Sequence, residues 1–296
     1  MTTLRVKMIE EMTLQRFSPK TKKAYLGAVG GLAKFYNRPP DKINQEQVRA
    51  YFLHLLDERK LAWASCNVVA CGLRFFYTHV LERKDITLSI PASKTKSKLP
   101  DILNEKELES LFMHAGNFKE RVLLMTTYSG GLRVSEVVRL QVKDINSERM
   151  AIRVRQGKGN KDRDTLLSKK LLVDLRVYWQ RYRPRVWLFP GWDKNSPLSI
   201  SAAQKAYDRA KDAAGIKKGP GIHTLRHCFA THLLDRGVDP RTIQVLMGHR
   251  SIGTTMRYCQ VTPKRIASIE SPLDRIEFQS MELPPPGEEK HDDNHF

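Results

Sequence analysis

Residues 88–100 (LSIPASKTKSKLP) have few apolar side chains to bury and separate the chain into two parts. This stretch contains two prolines, three lysines and several small polar residues, a composition typical of a linker between domains. The chain has 296 residues, which is enough for two domains. We therefore predict an N-terminal domain over 1–87, a basic linker over 88–100 and a second domain over 101–280.

The N-terminal block carries helix start signals followed by apolar residues at helical spacing. Ser18 and Pro19 form an N-cap and a first-turn proline, and the NQEQ segment at 44–47 resembles a capping box. A third helix is predicted to begin near Ser65, with four apolar residues facing inward: Val68, Cys71, Phe75 and Phe76. A compact basic helical bundle suits binding to a duplex, although its lysines are also consistent with an ordinary solvated surface.

The second block is predicted to be helical with one interruption. The NEKE segment at 104–107 resembles another capping box and predicts a long helix through Tyr128. The segment MAIRVR at 150–155 alternates apolar and basic residues, and a glycine-rich basic turn (156–163) separates it from a second short run. This pattern predicts a small β-hairpin, with helices again from about residue 168. The predicted fold class is mainly α with a small β-sheet.

The charge balance points to a nucleic-acid partner. The chain has 51 Lys and Arg residues against 32 Asp and Glu residues, a net charge of +19. The last segment, 281–296, holds five acidic residues and one lysine, so the rest of the chain carries +23. We predict that this acidic tail is disordered. Basic composition is also found in nucleases, ribosomal proteins and proteins of membrane surfaces.

Other features of the sequence bear on its location. No run approaches eighteen apolar residues, which excludes a membrane span, and the N-terminus lacks the apolar core of a signal peptide. Four cysteines without a CxxC pair indicate reduced thiols and argue against a zinc ribbon. We therefore expect a cytoplasmic protein.

Five short segments carry polar residues suited to chemistry. They are GGLRVSE at 130–136, GKG at 157–159, HTLR at 223–226, LMGH at 246–249 and TMRY at 255–258. The first is expected to place Arg133 just inside a helix start, and the last is expected to place Tyr258 on a short helix. Each segment alone has an ordinary structural explanation, such as an ion pair, a polar turn, a helix cap or a core tyrosine.

Together the segments supply what phosphoryl transfer needs. Arginine forks neutralise the non-bridging phosphate oxygens without a metal. A tyrosine hydroxyl can act as the nucleophile, and a histidine or lysine can protonate the leaving oxygen.

In these segments, in their order and in their spacing, the chain resembles the tyrosine recombinases of the phage-integrase type, including the Xer-like recombinases. The resemblance extends over about residues 5–275. Two departures from the usual pattern, Gly130 in the first segment and Met247 in the fourth, preserve side-chain size and turn geometry. The resemblance implies a C-shaped clamp, with the helical core-binding domain on one face of a duplex and the catalytic domain on the other.

The resemblance also implies a role for each site residue. Arg133, Arg226 and His249 would hold the scissile phosphate, and Tyr258 would attack it to give a 3′-phosphotyrosine. His223 would manage the tyrosine proton, Lys158 would protonate the departing 5′ oxygen, and Glu136 would support the arginines. Lys161, in the same turn, is the rival candidate for the acid. Rejoining would need neither ATP nor a metal or other cofactor.

The partners implied by the resemblance are double-stranded recombination sites and further copies of the chain. Exchange of four strands requires a homo-tetramer, built from two dimers on synapsed DNA. Residues 263–277 form a short amphipathic segment that is expected to dock on a neighbouring protomer. An accessory DNA-bending or directionality protein is a further possible partner, and integration, excision, inversion and chromosome-dimer resolution all remain open.

Three alternatives compete with this interpretation. A zinc site could use residues that crowd one region of the sequence, namely His223, His227, Cys228, His232, His249 and Cys259, but no HExxH motif is present. A regulator that binds DNA without catalysis is disfavoured by the complete set of site residues. A type IB topoisomerase would share the catalytic core but not the Xer-like helical N-terminal block.

Overall fold

The computed structural model describes residues 3–83, 100–155 and 162–259. The chain divides into two compact units, Met1–Ser97 and Lys98–Phe296. Most of the predicted linker, the glycine-rich turn, the amphipathic segment 263–277 and the acidic tail lie outside the described residues. Among the helices that are described, none has the length and apolar character that crossing a membrane requires.

The first unit is built from helices, as predicted. Four α-helices are α1 (Thr3–Leu14), α2 (Pro19–Tyr36), α3 (Gln45–Leu53) and α4 (Trp63–Phe75). A 3₁₀ turn spans Pro40–Lys42, and π-helical turns extend α3 and α4 over His54–Glu58 and Phe76–Val80. The predicted caps are confirmed, because the Ser18 hydroxyl accepts from the Thr21 amide and Asn44 forms a reciprocal capping box with Gln47.

The inward face of α4 differs from the predicted one. Phe75 and Phe76 are buried, but Val68 is 45% exposed and Cys71 is only partly buried. Small residues decide which face packs inward: a Cβ added at Gly72 would lie 3.0 Å from the Cβ of Ala28 on α2. Close approach of α2 therefore turns the stripe that carries Cys66, Ala70 and Leu73 toward the core.

The second unit contains eight α-helices among its described residues. They are α5 (Glu105–Met113), α6 (Phe118–Ser129), α7 (Val134–Val137), α8 (Lys169–Tyr182), α9 (Ile200–Ala213), α10 (His223–Asp235), α11 (Pro240–Met247) and α12 (Ile252–Met256). The predicted capping box at 104–107 is confirmed. The single long helix predicted through Tyr128 is wrong. It is broken after Met113, and Asn117 caps the new helix by accepting from the Glu120 amide.

A three-stranded antiparallel sheet accompanies these helices. Its strands are β1 (Ile145–Asn146), β2 (Ala151–Val154) and β3 (Arg163–Leu166), in the order β1-β2-β3. Val154 pairs with Arg163 and Ala151 with Leu166, which confirms the predicted hairpin. The sequence pattern did not reveal β1, which is only two residues long. The fold class, mainly α with a small β-sheet, is confirmed.

A small apolar cluster in the second unit supports the C-terminal described segment. Phe229, Ala230 and Leu234 of α10 pack with Ile243 and Met247 of α11, and two later residues contact this cluster: Tyr258 and Cys259. Gly131 approaches the same cluster so closely that a Cβ there would clash with the Phe229 ring. The φ of Gly131 is +56°, so both its backbone and its surroundings require glycine.

Candidate active site

One carboxylate, Glu136, organises the centre of the site. Its oxygens lie 2.7 Å from Nη1 of Arg133, 2.8 Å from Nη2 of Arg163 and 3.7 Å from Nη1 of Arg226. Glu136 also accepts from the Arg133 backbone amide. Burial alone would raise its pKa, but hydrogen bonding and charge from Arg163, followed by Arg133, lower the pKa to about 2. Three guanidinium groups around one carboxylate leave the cluster with a net positive charge.

Arg133 is the N-cap of α7 rather than a residue inside that helix, which corrects the predicted position. Its amide and its guanidinium both donate to Glu136. The Glu136 carboxylate therefore already lies at the start of the short helix α7. Nη2 points toward the Gly248 carbonyl at 3.4 Å. The side chain is 21% exposed, so the guanidinium remains accessible to an anion from solvent.

Arg226 lies in the first turns of α10 and is buried, with 1% of its surface exposed. Nη1 donates to the Gly131 carbonyl and Nη2 to the Met247 carbonyl, at 2.5 and 2.6 Å. These two bonds tie α10 to the loop before α7 and to the end of α11. Burial, and then the charge of Arg133, lower its pKa to about 9, so the side chain stays positive at neutral pH.

Arg163 is a site residue that the sequence interpretation missed. It begins β3, and its guanidinium forms a two-pronged bond with Glu136 at 2.9 and 2.8 Å. Nε donates to the Leu246 carbonyl at 2.8 Å, which joins the sheet to α11. The signal was hidden because Arg163 ends a run of basic and polar residues that resembles an ordinary turn.

The two predicted histidines lie near the arginines on different elements. His223 begins α10, and His249 follows Gly248, whose φ of +61° ends α11 as predicted. Nδ1 of His249 lies 2.9 Å from the Thr255 hydroxyl. Burial lowers the pKa of His223 to about 4, with His227 and Arg226 adding to the effect, and burial with Arg226 lowers the pKa of His249 to about 3. Both rings are therefore neutral at pH 7.

Tyr258 lies in a turn directly after α12, not on the helix as predicted. Its ring stacks on His249 with centroids 6.4 Å apart and an interplanar angle of 14°. The hydroxyl lies 2.7 Å from Nδ1 of His227. Burial raises the pKa of Tyr258, and the charges of Arg226, Arg257 and Arg133 oppose this shift. The hydroxyl is therefore protonated at neutral pH.

The structure thus brings five of the predicted residues into one group: Arg133, Glu136, His223, Arg226 and His249, with Tyr258 at its edge. Lys158 and Lys161 lie outside the described residues. From the sequence, His227 was a candidate only for a metal ligand. Its position four residues after His223 places both side chains on the same helical face, but its contact with Tyr258 joins residues 31 positions apart and has no local signal in the sequence.

The histidines and cysteines considered as zinc ligands do not form a metal site within the described residues. Within 3–83, 100–155 and 162–259, no group of three or more His, Cys, Asp or Glu side chains could hold a metal ion. The Cys228 sulfur accepts from the Leu103 amide, and burial raises the pKa of this thiol to about 11. Cys228 thus behaves as a buried structural residue.

Chemically, the arrangement offers a cluster of positive charges next to a hydroxyl nucleophile. The arginines can neutralise an anion, the neutral imidazoles can accept or donate hydrogen bonds, and Tyr258 carries the hydroxyl. These are the elements that transfer of a phosphoryl group to tyrosine requires.

Two family models match this chain. The phage integrase family matches residues 101–265, and the N-terminal SAM-like domain of phage integrases matches residues 4–86. Together the matches extend over both compact units.

Known proteins are similar over nearly the whole length. A putative integrase/recombinase of Sinorhizobium fredii, y4qK, is 40% identical over 96% of this chain and 93% of its own length. Tyrosine recombinase XerA of Pyrococcus furiosus is 34% identical over 89% of this chain and 93% of its own. The Tn1549 transposon integrase, solved in complex with transposon right end DNA, has the same fold, with a TM-score of 0.69, 17% identity and coverage of 90% and 98%.

Proposed function

The chain belongs to the phage integrase family of tyrosine recombinases, enzymes that break and rejoin DNA, and we propose that it does so through a covalent bond between Tyr258 and DNA. The observation that carries this proposal is the position of the Tyr258 hydroxyl. It lies among neutral imidazoles and beside arginines gathered around Glu136. The reaction class, site-specific recombination, follows from the family.

In the proposed reaction, Arg133, Arg226 and His249 hold the scissile phosphate and neutralise its non-bridging oxygens. The Tyr258 oxygen forms a bond to phosphorus while the bond from phosphorus to the 5′ oxygen breaks, and the phenolic proton passes to a neighbouring neutral imidazole. Lys158 gives a proton to that departing oxygen, and a 3′-phosphotyrosine results. A 5′ hydroxyl then reverses the step on the same or a new strand.

Glu136 has a supporting role in this proposal. Its carboxylate binds Arg133 and Arg163 directly and lies within 3.7 Å of Arg226, so it fixes the spacing of the positive groups before DNA arrives. The arginines supply the charge neutralisation, so the chemical step is expected to proceed without Mg²⁺ and without ATP.

Double-stranded DNA is the proposed partner. The Tn1549 integrase was solved with DNA bound, and this chain's net charge of +19 favours the same kind of partner. The proposal also includes several predictions about assembly. They are the arrangement of both units around one duplex, the homo-tetramer on synapsed sites, the docking of residues 263–277 and any accessory protein. The domain limits and the disorder of 281–296 are further predictions.

The experiment that tests the function is the capture of covalent adducts. The full chain is incubated with a pool of randomised duplexes in EDTA, denatured, and separated from free DNA, and the attached sequences are read. We expect a defined set of sequences on the wild-type chain. Tyr258→Phe should bind the same duplexes and retain none covalently. Equal adduct from Tyr258→Phe, or adduct only when Mg²⁺ is added, would contradict the proposal.

A further inference from the structure

His227 is placed against the proposed nucleophile more directly than any other imidazole among the described residues. Its Nδ1 lies 2.7 Å from the Tyr258 hydroxyl oxygen, a full hydrogen bond, and the two rings lie 5.6 Å apart. His223, one helical turn earlier, contacts the edge of the His227 ring at 4.9 Å between centroids. The resemblance assigns the tyrosine proton to His223, whereas the contact in the structure is made by His227.

The direction of this hydrogen bond follows from the charge state of the two groups. Burial lowers the pKa of His227, and the neighbouring positive charges of Arg226 and Arg257 lower it further, so the ring is neutral at pH 7. Tyr258 keeps its proton at this pH. The hydroxyl is therefore the donor and Nδ1 the acceptor, which places the single N–H proton of the neutral ring on Nε2.

We infer that His227 is the group that accepts the Tyr258 proton as the tyrosine oxygen attacks the DNA phosphate. This inference rests on the proposed function and adds a residue to it. The acceptor already touches the atom that must lose its proton, which is the first geometric requirement for a general base. His223, behind the His227 ring, would then orient that ring or share the resulting charge.

The step balances in atoms and charge. The bond from the Tyr258 oxygen to phosphorus forms, the bond from phosphorus to the 5′ oxygen breaks, and the phenolic proton moves to Nδ1 of His227. The leaving oxygen takes its proton from another residue, for which Lys158 is the proposed donor. The imidazolium that forms is stabilised by the negative phosphate group that has come next to it. In the reverse step, His227 returns the proton to the departing tyrosine.

Two substitutions at His227 separate a proton acceptor from a merely positioning residue. His227→Leu removes both the hydrogen bond and the basicity. His227→Asn places an amide oxygen near the position of Nδ1, so it keeps an acceptor but cannot take a proton. A matched control is available on the same helix, because Nδ1 of His232 binds the hydroxyl of Tyr128 at 2.9 Å. His232→Leu removes a similar histidine–tyrosine pair away from the proposed machinery.

The first readout is the single-turnover rate of adduct formation on a duplex recovered by the selection described above. At pH 7, both His227→Leu and His227→Asn should be about 10²-fold slower than the wild-type chain. The deficit of His227→Leu should shrink as the pH rises toward that of tyrosine ionisation, because a phenolate no longer needs a base. His232→Leu should match the wild-type rate at every pH.

The second readout needs no DNA and follows the hydroxyl itself. Acetylation of Tyr258 by N-acetylimidazole, measured by peptide mass spectrometry, should be about fivefold faster in His227→Leu, the effect of losing one ordinary hydrogen bond. It should remain slow in His227→Asn. This pattern, together with unchanged thermal melting, shows that the variants fold and that the rate loss in His227→Asn arises from basicity.

Each of three results would overturn the inference. They are a wild-type rate for His227→Leu, a wild-type rate for His227→Asn, and a rate deficit of His227→Leu that stays constant as the pH rises. A wild-type chain that forms no adduct with any duplex would instead overturn the proposed function and this inference with it. The acetylation pattern would still report whether His227 holds the hydroxyl, so the two failures are distinguishable.

Discussion

At the scale of single residues, the most consequential group is a carboxylate that no substrate need touch. Glu136 is buried and shared by Arg133, Arg163 and Arg226. Removing one partner of such a buried group leaves the others uncompensated, so the cluster behaves as a unit. The spacing of the positive charges offered to DNA therefore depends on a single side chain.

The first prediction concerns stability in acid. The pKa of Glu136 is about 2 in the folded chain against an ordinary value of 4.5, so its ionised form favours folding. This contribution, about 3 kcal/mol, is fully present above pH 4.5 and is lost as the pH falls toward 2. Urea unfolding should show that the wild-type chain has a larger free energy of unfolding than Glu136→Gln above pH 4.5. This difference should shrink as the pH falls from 4.5 toward 2. A constant difference between the two chains across that range would contradict the assignment.

The second prediction concerns the proposed acid, Lys158. Lys158→Ala should cleave slowly because an alkoxide is a poor leaving group unless it is protonated. A duplex with sulfur at the bridging 5′ position should restore the rate, since a thiol has a pKa of about 8.5 and leaves as the thiolate. Adduct formation is measured with both duplexes, and Lys161→Ala provides the matched control. Rescue of Lys161→Ala in place of Lys158→Ala would move the role of acid to Lys161.

A site residue could be predicted from the sequence when it belongs to a recognisable short motif. Arg133, Arg226, His249 and Tyr258 each belong to a recognisable short segment, and the structure gathers them. Other contacts form only when distant elements meet. Arg163 meets Glu136 across 27 positions and His227 meets Tyr258 across 31, and no local pattern encodes such pairs.

At the scale of secondary structure, the loop before α7 is the most constrained element near the site. Gly131 has a φ of +56°, and its carbonyl accepts from Arg226. The loop therefore sets the position of both Arg133, two residues later, and the guanidinium of Arg226. A change in the conformation of this loop would therefore shift two of the proposed phosphate-binding residues, Arg133 and Arg226.

The third prediction compares two glycines with positive φ. Gly215→Ala faces open space, so it should cost only the left-handed backbone conformation, about 1 kcal/mol. Gly131→Ala adds a clash with the Phe229 ring and should cost about 3 kcal/mol or more. Urea unfolding of both variants provides the measurement. Equal losses of stability would show that the Phe229 contact does not constrain the loop.

Helix starts were easier to predict from sequence than helix faces. The caps at Ser18, Asn44 and Asn104 depend on a side chain and an amide three residues away, so local sequence determines them. The inward face of α4 depends instead on how closely α2 can approach Gly72. The break between α5 and α6 was missed because apolar spacing resumes after Asn117 with little change of phase.

At the scale of the whole molecule, the fourth prediction concerns assembly. Removing residues 263–296 should leave cleavage of an isolated site intact but reduce formation of four-protomer complexes on two duplexes. The proposed reason is loss of the amphipathic segment that docks on a neighbouring protomer. Removing only the acidic residues 281–296 should leave assembly unchanged. Analytical ultracentrifugation of the protein–DNA complexes distinguishes the outcomes, and normal tetramers from the longer truncation would exclude the docking role.

In the proposed reaction of the whole chain, DNA becomes joined to Tyr258 through its 3′ phosphate. The most direct test is to digest the covalent adduct with nuclease and protease and to identify the modified peptide by mass spectrometry. We predict a nucleotide on Tyr258, attached through the 3′ phosphate, with a free 5′ hydroxyl on the released strand. A nucleotide on any other residue, or a bond through the 5′ phosphate, would contradict the proposed chemistry.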